Sequence, residues 1–391
     1  MRVDKSKWQK KTIGQIGKVI SGSTPRTDNP SNWNGGTHNW VTPAELKGEK
    51  YYGSTQKKIT DTALETTNLT LMPVGTVLLS SRAPIGKVAI TTEPMYCNQG
   101  FKNIECNACI HNEYLYYYLK YNNEELNRRG NGVTFKEISK KIVEQFPVIV
   151  PSIEEQKGIA AELDALQAMI DGYKAQLHDL DELIKSIFNN TFGEPISNPK
   201  GWDIDVLENI VSDDCPITYG IVQPGDEVND GIPVVRPVDL IGTYVNKALL
   251  KKVSPEISDS YKRTILKGNE ILICVRGTTG VVSFATEDMK ECNVTRGIVP
   301  LSFARHNKWF MYWCIKSFEM NNLIQKYTKG ATLKQINIKD LRQLPFPTPP
   351  LELQEKFRKQ AELIETQRAL LNQQISDARD LMAERMQYYF S

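Results

Sequence analysis

A heptad repeat between Pro151 and Phe192 constrains the fold of this chain more than any other feature of its sequence. Its apolar residues alternate at steps of four and three, which places them on one face of a single long helix. They are Ile159, Leu163, Leu166, Ile170, Tyr173, Leu177, Leu180, Ile184 and Ile187. A helix over Ser152 to Asn190 would be roughly 58 Å long. Such a rod cannot bury its apolar stripe alone, so it requires a partner helix.

The same spacing recurs at the end of the sequence. The positions are Phe357, Ala361, Ile364, Arg368, Leu371, Ile375, Ala378, Met382, Arg385 and Tyr389. We predict that the two helices pair as an antiparallel coiled coil. Arg368 and Arg385 interrupt the second stripe, and because buried charge is costly, we expect them to snorkel or to pair with acidic residues of the first helix. The alternative is a coiled coil that serves only for oligomerisation.

The two helices belong to a longer duplication, because landmarks recur in the same order at an offset of 194 to 198 residues. A proline-rich stretch precedes each helix, at 146–151 and 344–349, and each is followed by a glutamine, Gln156 or Gln354. The other pairs are Trp8 with Trp202, the arginine turns at 75–86 and 268–280, the aromatic helices at 114–121 and 309–318, and the glycine turns at 130–138 and 329–336. A period this long indicates duplication of a whole domain.

The sequence therefore predicts an α+β fold in which two pseudo-symmetric globular domains alternate with two long helices. The predicted boundaries are 1–151 for the first domain, 152–192 for the first helix, 193–348 for the second domain and 349–391 for the second helix. The aromatic helices are expected to lie in the domain cores.

Composition excludes several classes of protein. No apolar run approaches the 18 residues of a membrane span, and the start lacks a signal-peptide core, so we expect an unanchored cytoplasmic protein. Seven scattered cysteines do not suggest a disulfide framework, and Cys106 and Cys109 have no second pair within zinc-finger range. Net charge is only +2, yet residues 1–150 hold 20 basic and 13 acidic residues. This excess favours contact with nucleic acid through the globular parts.

In the order of these landmarks the chain resembles the specificity subunits of type I restriction-modification systems. The resemblance rests on Glu155-Gln156 and Leu353-Gln354 after the two proline-rich entries, on the arginine turns and on the glycine turns. It implies two target-recognition domains, each reading one half of a split double-stranded DNA target, with the helices acting as a ruler. It also implies that the helices dock two methyltransferase subunits, with restriction (motor-nuclease) subunits completing the complex, and that this chain has no catalytic residues.

The same resemblance implies that this chain binds no cofactor of its own. S-adenosylmethionine is expected on the methyltransferase subunits, and ATP and Mg on the motor-nuclease subunits. From the residues themselves, no P-loop, dinucleotide-binding motif or metal-ligand pair of histidines is present.

DNA contact requires cations for phosphates and bidentate donors for base edges. Arg82 and Arg276, each in a tight turn after an apolar strand, are the leading candidates, and the alternative for each is a structural arginine paired with an acid or with loop carbonyls. The further candidates are Lys87, Thr134, Lys136, Thr278, Thr279, Thr332, Lys334, Arg26 and Tyr219. The threonines of the glycine turns could instead be helix N-caps.

Three other functions remain open on sequence grounds. The chain could be the recognition subunit of a modification-only system, a coiled-coil scaffold whose domains bind proteins or ligands, or an unrecognised nuclease. Because the two domains share little beyond their landmarks, we predict an asymmetric bipartite target.

Overall fold

The computed structural model describes residues 4–130, 136–330 and 333–391. The strands before the first long helix are β1 Gln9–Thr12, β2 Gly17–Ser21, β3 His38–Val41, β4 Tyr51–Tyr52, β5 Lys57–Ile59, β6 Val77–Leu79, β7 Val88–Thr91, β8 Tyr96–Cys97, β9 Lys102–Cys106 and β10 Pro147–Val150. The helices of this part are α1 Ile13–Ile16, α2 Asp61–Thr66, α3 Asn112–Tyr121, α4 Asn123–Arg128 and α5 Lys140–Glu144, and they are followed by α6 Ile153–Phe192.

Three sheets organise this first part. The largest has the strand order β2-β9-β6-β7-β4, in which all neighbours are antiparallel except β4 and β7. A second sheet has the order β5-β3-β8, with β3 parallel to β8 and antiparallel to β5. Strand β1 pairs with β10 immediately before α6 begins. The centre of the largest sheet is β6, which is buried on both faces because all three of its residues are apolar.

The part after α6 repeats these elements. Its strands are β11 Ile204–Val206, β12 Ile232–Val235, β13 Lys251–Val253, β14 Ile271–Cys274, β15 Val282–Phe284, β16 Asn293–Val294, β17 Ile298–Leu301 and β18 Pro345–Pro347. Its helices are α7 Leu207–Ile210, α8 Pro255–Asp259, α9 Lys308–Lys316, α10 Phe318–Tyr327 and α11 Ile338–Arg342, and they are followed by α12 Leu351–Phe390.

Most strand pairings of the first part recur in this second part, where three strands correspond to the five of the largest sheet. Strand β14 lies between β15 and β17, as β6 lies between β7 and β9. Strand β12 is parallel to β16 and antiparallel to β13, as β3 is to β8 and β5. Strand β11 pairs with β18 just before α12, as β1 pairs with β10 before α6. The duplication predicted from the sequence is therefore a duplication of topology.

Helices α6 and α12 each span 40 residues, and they pair in opposite directions. Near the start of α6, Glu162 accepts a bond from Arg385 near the end of α12. Further along α6, Asp181 accepts from Arg368, which lies earlier in α12. The antiparallel pairing is confirmed, and both seam arginines meet acids of the first helix as expected.

The apolar seam of the two helices is largely buried. The buried positions are Ile159, Leu163, Leu166, Ile170, Ile184, Phe357, Ile364, Leu371, Ile375 and Met382, whereas Leu177 and Leu180 are partly buried. The chain divides into two compact units, Met1–Lys174 with Asn372–Ser391 and Ala175–Leu371. In this division each end of a long helix packs into the core of the unit that contains it.

The aromatic helices α3 and α9 form the cores that receive these helix ends. In the first unit, Phe390 at the end of α12 packs edge to face on Tyr114 and Tyr118 of α3, with ring centroids 5.5 Å apart in each pair. In the second unit, the ring centroid of Phe192 at the end of α6 lies 4.7 Å from that of Phe310 of α9. Aromatic pairs of this kind add about 0.5–1.5 kcal/mol to simple burial.

Each long helix is also fixed at its start by a buried glutamine. The amide oxygen of Gln156 accepts from the backbone N–H of His111 at 2.7 Å, and its NH2 group donates to the carbonyls of Cys109 and Pro151. In α12, the amide oxygen of Gln354 accepts from the N–H of Asn307 at 2.8 Å. Its NH2 group donates to the Pro349 carbonyl at 2.8 Å. The two glutamines are 0% and 1% exposed, so these bonds replace water that neither side chain can reach.

Across the described ranges, no helix combines the length and apolar character that a membrane crossing requires.

Candidate nucleic-acid interface

The arginine turn of the first unit is presented by two buried strands. It connects β6 to β7, and it is closed by bonds from the N–H of Gly86 to the Ser80 carbonyl and from the N–H of Ser80 to the Lys87 carbonyl. Gly86 has a φ of +88°, a backbone conformation that residues with a side chain rarely adopt. Within this closed turn Arg82 is exposed. The strands therefore fix the backbone while the guanidinium faces solvent.

The second unit builds the same turn between β14 and β15. The N–H of Gly280 donates to the Cys274 carbonyl at 2.9 Å, and Gly280 has a φ of +89°. The N–H of Val275 donates to the Gly297 carbonyl, as that of Ser81 donates to the Gly100 carbonyl in the first unit. The turn carries Arg276 directly after the last buried residue of the strand, and Arg276 is partly exposed.

The glycine turns lie against the arginine turns, a proximity that the sequence did not indicate. In the first unit, Arg82 faces Glu137 across an isolated antiparallel bridge, and the N–H of Ile138 donates to the Ser81 carbonyl at 2.8 Å. In the second, Arg276 faces Gln335, and the N–H of Ile336 donates to the Val275 carbonyl. The arrangement also brings Lys136 and Lys334, both exposed, beside the two arginine turns. Each unit thus carries one composite basic loop surface.

The surface of the first unit contains an ion-pair cluster. The Nε of Arg82 donates to Glu137 at 3.0 Å, and the ammonium of Lys102 lies 3.7 Å from the other carboxylate oxygen of Glu137. Lys102 is only 8% exposed, and burial lowers the pKa of its ammonium, with the charge of Glu137 opposing that change. The acid-paired alternative for Arg82 is thus present in the structure, although its side chain stays 48% exposed.

The surface of the second unit carries an amide and an aromatic ring where the first unit has its ion-pair cluster. The NH2 group of Gln335 donates to the hydroxyl of Tyr219 at 3.0 Å. The guanidinium of Arg296 lies 5.8 Å from the centre of the Tyr219 ring, within range of a cation–π interaction. Gly297 approaches Arg276 closely, because a Cβ built on it would lie 3.6 Å from the Arg276 Cβ. Arg276, Arg296 and Tyr219 therefore share one surface.

Family comparison agrees with this duplicated geometry. The model of the type I restriction modification DNA specificity domain matches residues 5–180 and again 220–376. The chain belongs to this family. Among its relatives is the type I restriction enzyme MjaIX specificity subunit of Methanocaldococcus jannaschii, which is 31% identical over 384 residues, covering 90% of this chain and 85% of that protein. The EcoBI specificity subunit of Escherichia coli is 26% identical over 313 residues, covering 73% and 66%.

Solved structures share the fold. A chain from work on complex assembly and conformational transition of the type I R-M system superposes with a TM-score of 0.63 at 17% identity, over 100% of this chain and 99% of that one. The S subunit from M. genitalium gives a TM-score of 0.56 at 13% identity, over 99% and 98%. At these identities the comparison establishes the fold alone.

Several candidates from the sequence have roles inside the loops. The ammonium of Lys87 donates to the carbonyls of Pro43 and Leu46, both at 2.9 Å, so it stabilises the loop interior rather than standing free for phosphate. Thr279 is 4% exposed, and its hydroxyl accepts a bond from Thr328 at 3.0 Å. Both side chains are thus engaged within the loops, and their contact with DNA stays a prediction. Thr278, by contrast, is exposed.

The remaining candidates differ in how far they are described. Arg26 is exposed, and its carbonyl accepts bonds from the side chains of Asn32 and Trp33, which fix the loop that carries it. Thr134 and Thr332 lie outside the described residues.

Sequence reasoning missed the residues that surround the two arginines. Arg296 precedes Gly297 as Gln99 precedes Gly100, and this repeat of the glycine was a signal that could have identified it. Glu137 and Gln335 each lie one residue after a predicted lysine. Nothing in their spacing pointed to the arginine turns, which lie 55 or more residues earlier in the chain.

Proposed function

We propose that this chain is the DNA-recognition subunit of a type I restriction-modification complex and that each domain reads one half of a bipartite, asymmetric target. The observation that carries the proposal is the recurrence, in both units, of an arginine turn bridged to a lysine-bearing glycine turn. Guanidinium groups match guanine edges and phosphate oxygens, and a buried strand on each side supplies the rigidity that sequence reading requires.

The asymmetry of the target follows from the side chains that surround the arginines. The first unit places an acid and a buried lysine at Arg82, whereas the second places an amide, a tyrosine and a further arginine at Arg276. Different donors and acceptors favour different base pairs, so the two half-sites should differ in sequence.

The long helices are proposed to set the spacing between half-sites and to dock two methyltransferase subunits. Exposed leucines support the docking role, because Leu363 and Leu370 lie seven residues apart on α12 and are 62% and 61% exposed. Apolar side chains one heptad apart form the kind of stripe that a partner helix covers. Replacing both with Glu should abolish copurification of the methyltransferase while leaving the helical content unchanged. Unaltered copurification would remove this surface from the proposal.

On this proposal the chain itself catalyses no step. S-adenosylmethionine would be bound by the methyltransferase subunits, and ATP and Mg by the restriction subunits. A modification-only system would use the same chain in the same way, because the recognition chemistry does not depend on cleavage.

The test is base-resolved methylation mapping in cells that express this chain with the methyltransferase encoded beside it, compared with cells that lack only this chain. We expect a methylated motif with two specified halves separated by a fixed unspecified gap. A palindromic motif would contradict the asymmetric reading. Absence of any motif, together with absence of salt-sensitive DNA binding by the purified complex, would favour the protein-scaffold alternative.

A further inference from the structure

The two units differ by one charge at an equivalent point, and this difference bears on how each reads DNA. Glu137 and Gln335 face Arg82 and Arg276 across the same type of bridge, and the residue after each donates its N–H to the strand end before the arginine. The backbone geometry is therefore shared. The carboxylate of the first unit is replaced by a neutral amide in the second, on the same backbone geometry.

A carboxylate beside an arginine discourages contact with a phosphate. Phosphate oxygens are negative, and Glu137 would repel them at short range, whereas a base edge carries no net charge. The carboxylate also occupies the Nε of Arg82, one of the five N–H donors of a guanidinium. The other four donors are on the two Nη atoms, which form the fork that pairs with O6 and N7 of guanine.

Lys102 supports this arrangement from the interior. Its ammonium is 3.7 Å from Glu137, and it also lies 3.4 Å from the Ser81 hydroxyl and 3.4 Å from the Gln99 carbonyl. Because Lys102 is buried, its charge is directed at Glu137 rather than at DNA. Glu137 is thereby held between a fixed buried cation and the exposed guanidinium that it orients.

The second unit has a neutral amide where the first has a carboxylate. Arg276 and Arg296 lie on one surface beside the neutral Gln335, and Lys334 immediately precedes Gln335 on the same glycine turn. Adjacent cations beside a neutral amide suit the negative backbone of DNA.

On the basis of the proposed function, we propose that Glu137 is a positioning residue that orients Arg82 for a guanine-bearing base pair in the major groove. Arg276, which lies beside Gln335, contacts phosphate instead. The first unit thus obtains sequence discrimination at this point, and the second obtains affinity. The two half-sites are read with different sensitivity to salt.

Reciprocal charge exchange tests this inference in the full complex of the chain with its methyltransferase. Binding to the mapped target and to single-base variants of each half-site would be measured over a KCl series for the wild type, E137Q and Q335E. For E137Q we expect roughly tenfold loss of preference at one base pair of one half-site. The slope of log K against log salt should steepen by about one, because the exposed cation gains a phosphate contact.

The Q335E variant is the matched control within the same chain. It should weaken binding to all target variants alike and make the salt slope shallower by about one. Glu137→Asp, which keeps the charge, should restore the wild-type slope. The inference is overturned if E137Q leaves the preference and the slope unchanged. It is also overturned if E137Q weakens binding equally on all sequences, as a merely structural role would. A wild-type complex without any sequence preference would instead overturn the proposed function itself.

Discussion

Arg385 of α12 donates from its Nη2 atom to the carboxylate of Glu162 of α6 at 3.1 Å, and the hydroxyl of Tyr389 donates to the same carboxylate at 2.7 Å. This contact lies on the seam between the two helices, at one of the two positions where an arginine interrupts the apolar stripe. The arginine is tolerated because its charge is met and the stem of its side chain covers apolar surface.

The Arg385 contact gives a stability prediction. Burial raises the pKa of Glu162, but the bonds from Arg385 and Tyr389 outweigh it and hold the pKa below its ordinary value. Because the pKa of Glu162 is lower in the folded state, its ionisation stabilises the fold at pH values above the ordinary glutamate pKa. This stabilisation is lost as the pH falls through the lowered pKa. Arg385→Ala should lower the free energy of unfolding by about 1–2 kcal/mol near neutral pH. It should also make the free energy of unfolding fall less steeply at acidic pH, as measured by urea unfolding across a pH series. If the stability of the variant fell as steeply at acidic pH as that of the wild type, this prediction would be wrong.

The buried glutamines predict a second effect on stability. Gln156→Leu leaves the N–H of His111 and the carbonyls of Cys109 and Pro151 buried without their partners, at a cost of about 1–3 kcal/mol. Gln354→Leu should behave alike. The control is Gln360→Ala at an exposed position of α12, where we expect less than about 0.5 kcal/mol. Urea unfolding of the three variants would decide, and equal losses in all of them would contradict a special role for the buried amides.

Arg296 provides a prediction for DNA binding. If its guanidinium contacts phosphate beside Arg276, Arg296→Ala should weaken binding on all sequences and make the salt slope shallower by about one. Arg379→Ala, at an exposed position of α12, is the control and should leave both the affinity and the salt slope unchanged.

By comparison, Arg82→Ala should relax recognition in one half-site by about 1–3 kcal/mol. Competition binding with single-base target variants distinguishes these outcomes, and a uniform loss for Arg82→Ala would assign it to phosphate.

The antiparallel pairing changes how a ruler experiment must be designed. Removing seven residues from α6 alone would leave its partner stripe unmatched, so residues 171–177 and 371–377 should be deleted together, which preserves both heptad registers. The loss of seven residues shortens a helix by roughly 10 Å, or about three base pairs of DNA. Methylation mapping should then show an unspecified gap shorter by about three base pairs. An unchanged gap would disprove the ruler.

The architecture followed from the sequence because periodicity reports directly on local structure. The steps of four and three between Ile159 and Ile187 predicted the helix, and the offset of 198 residues to Phe357 predicted its partner. The seam arginines were assigned acidic partners correctly, because buried charge leaves few alternatives.

The composition of the site could not be predicted in the same way. Glu137 is hydrogen-bonded to Arg82, which lies 55 residues away in the sequence, and Gln335 is hydrogen-bonded to Tyr219, which lies 116 residues away. Such proximity depends on how sheets and loops pack, and single-sequence patterns do not encode it. The contacts of Lys87 could not be predicted for the same reason, since the carbonyls that accept from it belong to a loop more than 40 residues earlier.

The joint at Gln156 has a consequence for how these proteins diverge. Each of its three bonds ends on a main-chain atom, and two of the three bonds of Gln354 do as well. Main-chain atoms persist whatever side chains surround them. Substitution of the side chains around Gln156 therefore leaves its bonds in place, so a domain can change in sequence while this one glutamine still attaches it to its helix.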